Sequence, residues 1–321
     1  MENIVAVILA AGRGTRMHPF STHYPKPGTL ICNKPLLQYS IETFRELGIR
    51  EIFVVIGHLG HVLAQKFGDG SSLGVKLQYV EQAQLLGIAS ALGQMEPHIS
   101  SPMFVALGDI FFKTDNLSSM IDLYRQRNAS AVLAVKYEKD PSAIRRNFTI
   151  RCDETGRVRR VIEKPRYVDT TLKGCGLYLF DLPVFDAIRR TPRTAMRDEY
   201  EITDTIQIMV DDNLPVYTSD VVNWDVNLST PADVLVCNLF ELKNRGLERL
   251  IGKNTNIHPG AELSNVIVGD GAIINEPITI TNSVIFPGTV VDAKSNIDRF
   301  IITPEHRIDC RLYANDGAMM E

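Results

Sequence analysis

Six consecutive apolar residues, Ile4-Val5-Ala6-Val7-Ile8-Leu9, stand almost at the start of the chain and empty into Ala10-Ala11-Gly12-Arg13-Gly14-Thr15-Arg16-Met17. The run is β-branched, uninterrupted and short, which predicts a strand buried on both faces; such strands belong to parallel sheets covered by helices. Ligands of open α/β sheets bind beyond the carboxyl ends of the strands, so the loop after Leu9 is the first place to look for chemistry. Gly12 and Gly14 allow a tight turn that brings backbone N–H groups against an anion. Arg13, Arg16 and Lys26 add three cations within fourteen residues, the arginines as planar forks and the lysine as a point charge on a long stem. The loop reads as phosphate-handling, yet it fits neither familiar fingerprint. Met17 stands where the dinucleotide pattern needs its third glycine, and no Gly-Lys-Ser/Thr follows for a nucleoside-triphosphatase loop.

Downstream the pattern alternates. A helix is predicted over 35–47, where Leu36, Leu37, Ile41 and Phe44 recur at helical spacing between Pro35 and Gly48. Strands follow over 52–56, 75–80, 103–107 and 131–137, with short helices before Phe67 and after Gly87. Residues 148–151 and 158–162 bracket the turn Asp153-Glu154-Thr155-Gly156 as a hairpin, and 174–180 is a further strand whose small residues suggest a ligand close to the backbone. His58 and His61 have no carboxylate or cysteine near them in sequence, so they read as turn residues and not as metal ligands. Asp109, at the end of a buried strand, must either ligate a cation or cap a helix to offset its desolvation.

At 321 residues the chain exceeds what one core usually serves, so a large domain plus a smaller one is expected. With 34 basic against 38 acidic side chains the net charge is −4, too balanced for nucleic acid or an anionic membrane as partner. Five scattered cysteines, Cys32, Cys152, Cys175, Cys237 and Cys310, suggest neither a disulfide framework nor a zinc cluster. No signal peptide precedes the first strand and no apolar stretch reaches membrane-span length, so a cytoplasmic protein is expected.

The last part has its own rhythm. Ile251, Ile257 and Leu263 and, after a one-residue slip, Val268, Ile274, Ile280 and Phe286 recur every six residues, with Gly252, Gly260, Gly269, Gly271 and Gly288 in the intervals. This hexapeptide period predicts a short left-handed parallel β-helix whose aliphatic residues point into a stacked core. The expected division is a doubly wound, Rossmann-like mixed α/β domain over 1–233, a linking helix over 234–250, the β-helix over 251–304 and a tail over 305–321.

The run Leu9 to Met17, then Pro25-Lys26-Pro27, then Asn33-Lys34-Pro35-Leu36, resembles the signature of the sugar-1-phosphate nucleotidyltransferases, or nucleotide-sugar pyrophosphorylases. The resemblance implies that Leu9, Ala10, Ala11, Gly12, Arg13, Gly14, Thr15 and Arg16 wrap a nucleoside triphosphate, that Arg16 holds its phosphates and that Lys26 bridges the reacting phosphates. Gln82 and Gly87 have the family's spacing for the nucleobase edge, which a glutamine amide can pair with by donating and accepting side by side. Asp109 falls where the family binds magnesium; metal ligation is favoured over helix capping, which would leave the triphosphate's charge uncompensated. Glu163-Lys164-Pro165 is similar to the sugar-phosphate element, together with Asn147 and Gly176. Glu201-Ile202-Thr203-Asp204 also matches. There are departures: Gly28-Thr29 replaces a pair of leucines, Asn33 and Asn147 replace glycines, and Asn227 replaces the second metal-binding aspartate, with Asp225 a candidate substitute. An amide oxygen can ligate Mg2+ but brings no charge.

The resemblance implies transfer of a nucleotidyl group, from UTP or dTTP in preference to GTP, to a sugar 1-phosphate, giving a nucleotide sugar and pyrophosphate. The alternatives are a mannose-1-phosphate guanylyltransferase, a catalytically weak regulatory subunit, and a bifunctional acyltransferase, for which the repeats are too few. The three catalytic residues implied are Arg16, Lys26 and Asp109, with Mg2+ as cofactor. The repeats are expected to join subunits into a homo-oligomer, and removal of everything after Leu250 is expected to leave the ligands in place.

Overall fold

The first strand is Val5–Ala10, with Ala6, Val7 and Ile8 fully buried, as a strand covered on both faces must be. In this computed structural model, which describes residues 4–195 and 198–313, the strand lies inside a nine-stranded mixed sheet. Lys76–Glu81, Glu51–Ile56, Val5–Ala10 and Met103–Leu107 run parallel in that order. Leu172–Phe180 then pairs antiparallel with Met103–Leu107, and beyond it come Phe148–Cys152 and Val158–Glu163, the expected hairpin. Leu172–Phe180 also pairs with Ala131–Tyr137, against which Val216–Asp220 runs parallel. Lys76–Glu81 closes one edge, and its alternation of exposed Lys76 and buried Leu77 is that of a strand with one wet face. One core of Val5, Val7, Val55, Val105, Leu133 and Tyr178 lies on this sheet, covered by helices that include Pro183–Arg190 and Ile202–Asp211.

Packing divides the chain into two compact units, and the division does not follow the sequence linearly. One consists of residues 1–12 and 40–225; the other of 13–39 and 226–321. The cationic segment thus leaves the sheet directly after Gly12 and belongs with the C-terminal part.

In that second unit the segment 13–39 contains the short 3-10 turns Thr15–Met17, Phe20–Thr22 and Lys26–Gly28, then the two-residue strands Leu30–Ile31 and Lys34–Pro35. Cys32 and Asn33 join those strands with φ of 47° and 61°, the paired left-handed residues of a tight hairpin turn. A helix, Pro231–Asn244, follows a capping box in which Thr230 and Asp233 bond reciprocally. The linking helix expected over 234–250 ends earlier. Gly246, at φ 68°, stops it, and 249–251 is already a strand.

The repeats form stacked parallel strands, as a β-helix requires, but their unit is 17 residues and not 18. Leu263 faces Ile280 and Ile280 faces Ile297; Val268 faces Ile285 and Ile285 faces Ile302; Ile257 faces Ile274 and Ile274 faces Val291. A one-residue slip therefore recurs in every coil. It corrects one reading, since Ile285 and not Phe286 fills the stack; Ile251 pairs with Val268 as the first member of that column and is 37% exposed there. Adjacent strand residues face opposite ways, so Phe286 is turned away from the stack. Left-handed turn residues recur at the same interval, in the columns Asn254, Gly271, Gly288 and Asn265, Asn282, Arg299.

Candidate active site

Where the first strand ends, two neighbours come unusually close. A Cβ on Gly57 would lie 2.7 Å from the carbonyl oxygen of Ala11, and one on Gly108 would lie 2.9 Å from that of Leu9. Gly108 donates its N–H to the same Leu9 carbonyl at 2.9 Å. The crowding fixes the path of Ala10 to Gly12 and of the turn that carries Asp109. Asp109 is half-buried, and the chain after it continues as the strand Ile110–Thr114, so there is no helix for it to cap. That strand pairs with Val222–Asn227, and Phe111 packs edge-on against Trp224.

Gln82 is buried at the start of the loop after the edge strand, its N–H held by Ile56 at 2.8 Å. Gly87 has φ 105°, and a Cβ there would lie 2.5 Å from the Tyr200 carbonyl oxygen. Leu86 and Ala89 both bond to the Tyr200 backbone, at 2.7 and 3.0 Å, so the glycine is needed for the loop to dock at all. Glu163 ends the hairpin, its carboxylate 3.5 Å from the Thr203 hydroxyl, and Lys164 follows at φ 43° with its N–H on the Asn147 carbonyl. Burial pushes the nearby Tyr178 phenol up, and Glu163 adds to the shift. Packing alone already demands small residues at 174–176: Phe148 fills the space before Gly174, and Ile110 with Leu107 fills that before Gly176.

The sequence alone gave no sign of the charge network beside these groups. Lys173, 3% exposed, donates to both oxygens of Asp225, at 2.8 and 2.6 Å; Lys136 reaches Asp225 at 3.1 Å and Glu138 at 3.0 Å. Asp225 is therefore neutralised by lysines and is no spare metal ligand. Burial acts against the charged forms of both Lys136 and Glu138, but the partners prevail: Lys136 is held above its ordinary value and Glu138 below.

In the second unit, Gly14 has φ 64° and caps the turn Thr15–Met17; a Cβ on it would touch the Lys26 stem at 3.0 Å. Lys26 and the loop of Arg16 thus lie together, with Arg16 exposed and Met17 wholly buried as the anchor between them. The Asn227 Oδ1 is buried and, among the described residues, accepts no hydrogen bond. A buried carbonyl oxygen without a donor is costly, and it suits a cation. An amide oxygen is a donor of the kind that hard Mg2+ takes while keeping several waters.

The profile of the Nucleotidyl transferase family matches residues 5–226. The low-salt glycan biosynthesis nucleotidyltransferase Agl11 of Haloferax volcanii is 33% identical over 246 residues, 76% of this chain and 67% of its own. A glucose-1-phosphate thymidylyltransferase of Streptomyces antibioticus is 28% identical over 97% of this chain and 85% of its own. In fold, the chain is similar to a provisionally named glucose-1-phosphate thymidylyltransferase from Bacillus anthracis, solved with sucrose, at a TM-score of 0.66 and 24% identity, covering 74% of this chain and 94% of that one. With a family profile spanning more than half its length, the chain belongs to the nucleotidyl transferase family.

Proposed function

We propose that this nucleotidyl transferase joins a nucleoside triphosphate, UTP or dTTP, to a sugar 1-phosphate, releasing pyrophosphate. The observation that carries the reading is the Gly14–Lys26 packing, which gathers the cations of the signature beside a loop that only glycine can form. A phosphate oxygen of the sugar phosphate attacks the α-phosphorus in line. It is already ionised at neutral pH, so the protein needs no general base and works by alignment and charge neutralisation.

Arg16 and Lys26 supply fixed cations to the triphosphate and the reacting phosphates. Leu9 to Thr15 hold the nucleotide through backbone N–H groups, and Gln82 with Gly87 reads the base edge. Glu163 takes sugar hydroxyls and Lys164 the sugar's phosphate, with Asn147 and Gly176 beside them. Asp109 and Asn227 are the protein ligands of Mg2+, which when bound adds positive charge to the phosphate oxygens. A uridylyltransferase and thymidylyltransferases among the relatives support the choice of base. Five free cysteines, and the lack among the described residues of any helix long and apolar enough to cross a membrane, support a reducing, cytoplasmic setting. Apolar residues left on the repeats, Ile251 and Val290, support assembly of subunits through that surface.

A panel crossing four triphosphates with glucose-, N-acetylglucosamine-, mannose- and galactose-1-phosphate, read by pyrophosphate release, tests the reading. Turnover is expected with UTP or dTTP and one of the sugars. Turnover with GTP and mannose 1-phosphate alone would move the enzyme to the guanylyl branch, and none with any pair would overturn the proposal.

A further inference from the structure

We infer that the C-terminal part positions the phosphate-binding segment, with Phe286 and Asn238 as positioning residues that act through it and the Val268 carbonyl as a fixed tie. The inference rests on the reading of Arg16 and Lys26 above. Segment 13–39 holds only three-residue turns and two-residue strands, too little regular structure to fix a lysine and an arginine by itself. What fixes it lies about two hundred positions away. Phe20 and Tyr24 stack on each other at 4.8 Å, and both pack on Phe286, at 5.2 and 5.3 Å between ring centres. Phe20 and Phe286 are fully buried. Aromatic pairs at such spacing add directional preference to their burial.

Polar ties hold the hairpin that follows. The Asn238 amide, wholly buried, accepts the Cys32 N–H at 2.7 Å and donates to the Leu30 carbonyl at 3.0 Å, so it imitates a strand edge. Asn33 donates to the Val268 carbonyl of the repeat stack at 2.9 Å. This accounts for asparagine where the signature that the chain resembles has glycine: Asn33 tolerates the left-handed backbone and its side chain adds a bond that glycine lacks. Arg16 lies four residues before Phe20, and Lys26 two after Tyr24, between Pro25 and Pro27. Both cations therefore hang from a clamped stretch, and the expectation that cutting after Leu250 would leave the ligands in place does not survive. The cut would remove Phe286 and Val268 from under them.

The test uses the full chain with Phe286→Ala, Phe286→Leu and Asn33→Gly, the last of which keeps the left-handed residue and removes only the bond. Hydrogen exchange without substrate, read over 14–33 and over the sheet, is paired with KM for the triphosphate and for the sugar phosphate. In Phe286→Ala and Asn33→Gly, exchange over 14–33 is expected to rise about tenfold with the sheet unchanged. The KM for triphosphate should rise and kcat fall, by up to about a hundredfold in Phe286→Ala, since small misplacements of a charge carry that cost. The KM for sugar phosphate, which Glu163 and Lys164 also hold, should rise less than that for triphosphate, and Phe286→Leu should recover most of the loss. Unchanged exchange in folded variants would overturn the clamp itself. Raised exchange with unchanged triphosphate kinetics would overturn the coupling and place the fault in the roles given to Arg16 and Lys26. If Phe286→Ala does not fold, Asn33→Gly decides.

Discussion

At the scale of single residues, the Asn227 carbonyl and the Lys26 ammonium make the most exposed commitments. A fixed cation on transferring phosphates is worth several kcal/mol in a dry site, so Lys26→Ala is expected to lower pyrophosphate release at least about a hundredfold with the thermal midpoint unchanged. Activity within a factor of about three of the parent would remove Lys26 from the chemistry. Asp109→Ala should abolish Mg2+-dependent turnover, whereas Asn227→Asp should preserve or raise it. The buried, unpartnered Oδ1 adds a second readout for the latter. A carboxylate there is costly without a cation, so Mg2+ with nucleotide should stabilise Asn227→Asp against heat more than it does the parent. A residue that acts through local chain geometry, such as Gly14, was legible in the sequence as a signature position. Asp225 was misread, because what neutralises it, Lys173, lies 52 positions away and no pattern announces such a pair.

Elements came through according to how local their cause is. The strand Met103–Leu107 and the hairpin of Phe148–Cys152 with Val158–Glu163 follow from apolar runs and a turn, and they stand where the sequence put them. The repeat stack was found, but its period was taken as six with one slip, when the hydrogen-bonded register imposes a slip in every coil. That correction is measurable: Ile285→Ala should cost about 2–5 kcal/mol by urea unfolding, and Ile251→Ala, partly exposed, well under half as much. Equal costs at both positions would contradict the burial of Ile285 against the exposure of Ile251. For the ion network, Asp225→Ala leaves buried Lys173 without its anion, while Lys136 keeps Glu138, and should cost about 3–5 kcal/mol; Lys173→Met with Asp225→Leu should cost less than either alone. Its pH dependence follows from the directions of shift. Glu138, held below 4.5, contributes stability above its ordinary range that is lost as pH falls through the lowered value; Lys136, held above 10.5, contributes below its ordinary range and loses it on the alkaline side. Urea midpoints should therefore drop below about pH 4.5 less steeply in Glu138→Gln than in the parent, and equal slopes would count against the pair.

For the whole molecule, light scattering is expected to give a mass above one chain, with exposed Ile251 and Val290 in the joint; a monomer at every concentration would leave those residues without a role. The sheet and its helices were legible because neighbours in sequence decide them. The allotment of segment 13–39 to the C-terminal unit was not, since the contacts responsible span 206 and 235 positions. The columns of left-handed turns have a further bearing on how such a chain can change. Asn265, Asn282 and Arg299, like Asn254, Gly271 and Gly288, bend the backbone at matching places in successive coils, and Asn265 bonds to Asn282 across that step. One added residue inside a coil would throw every later bend out of line, whereas a duplicated block of 17 would slot in as one more coil. Length in this half of the protein is thus counted in whole coils, so relatives that differ here should differ by multiples of that block or by loops that leave the columns aligned.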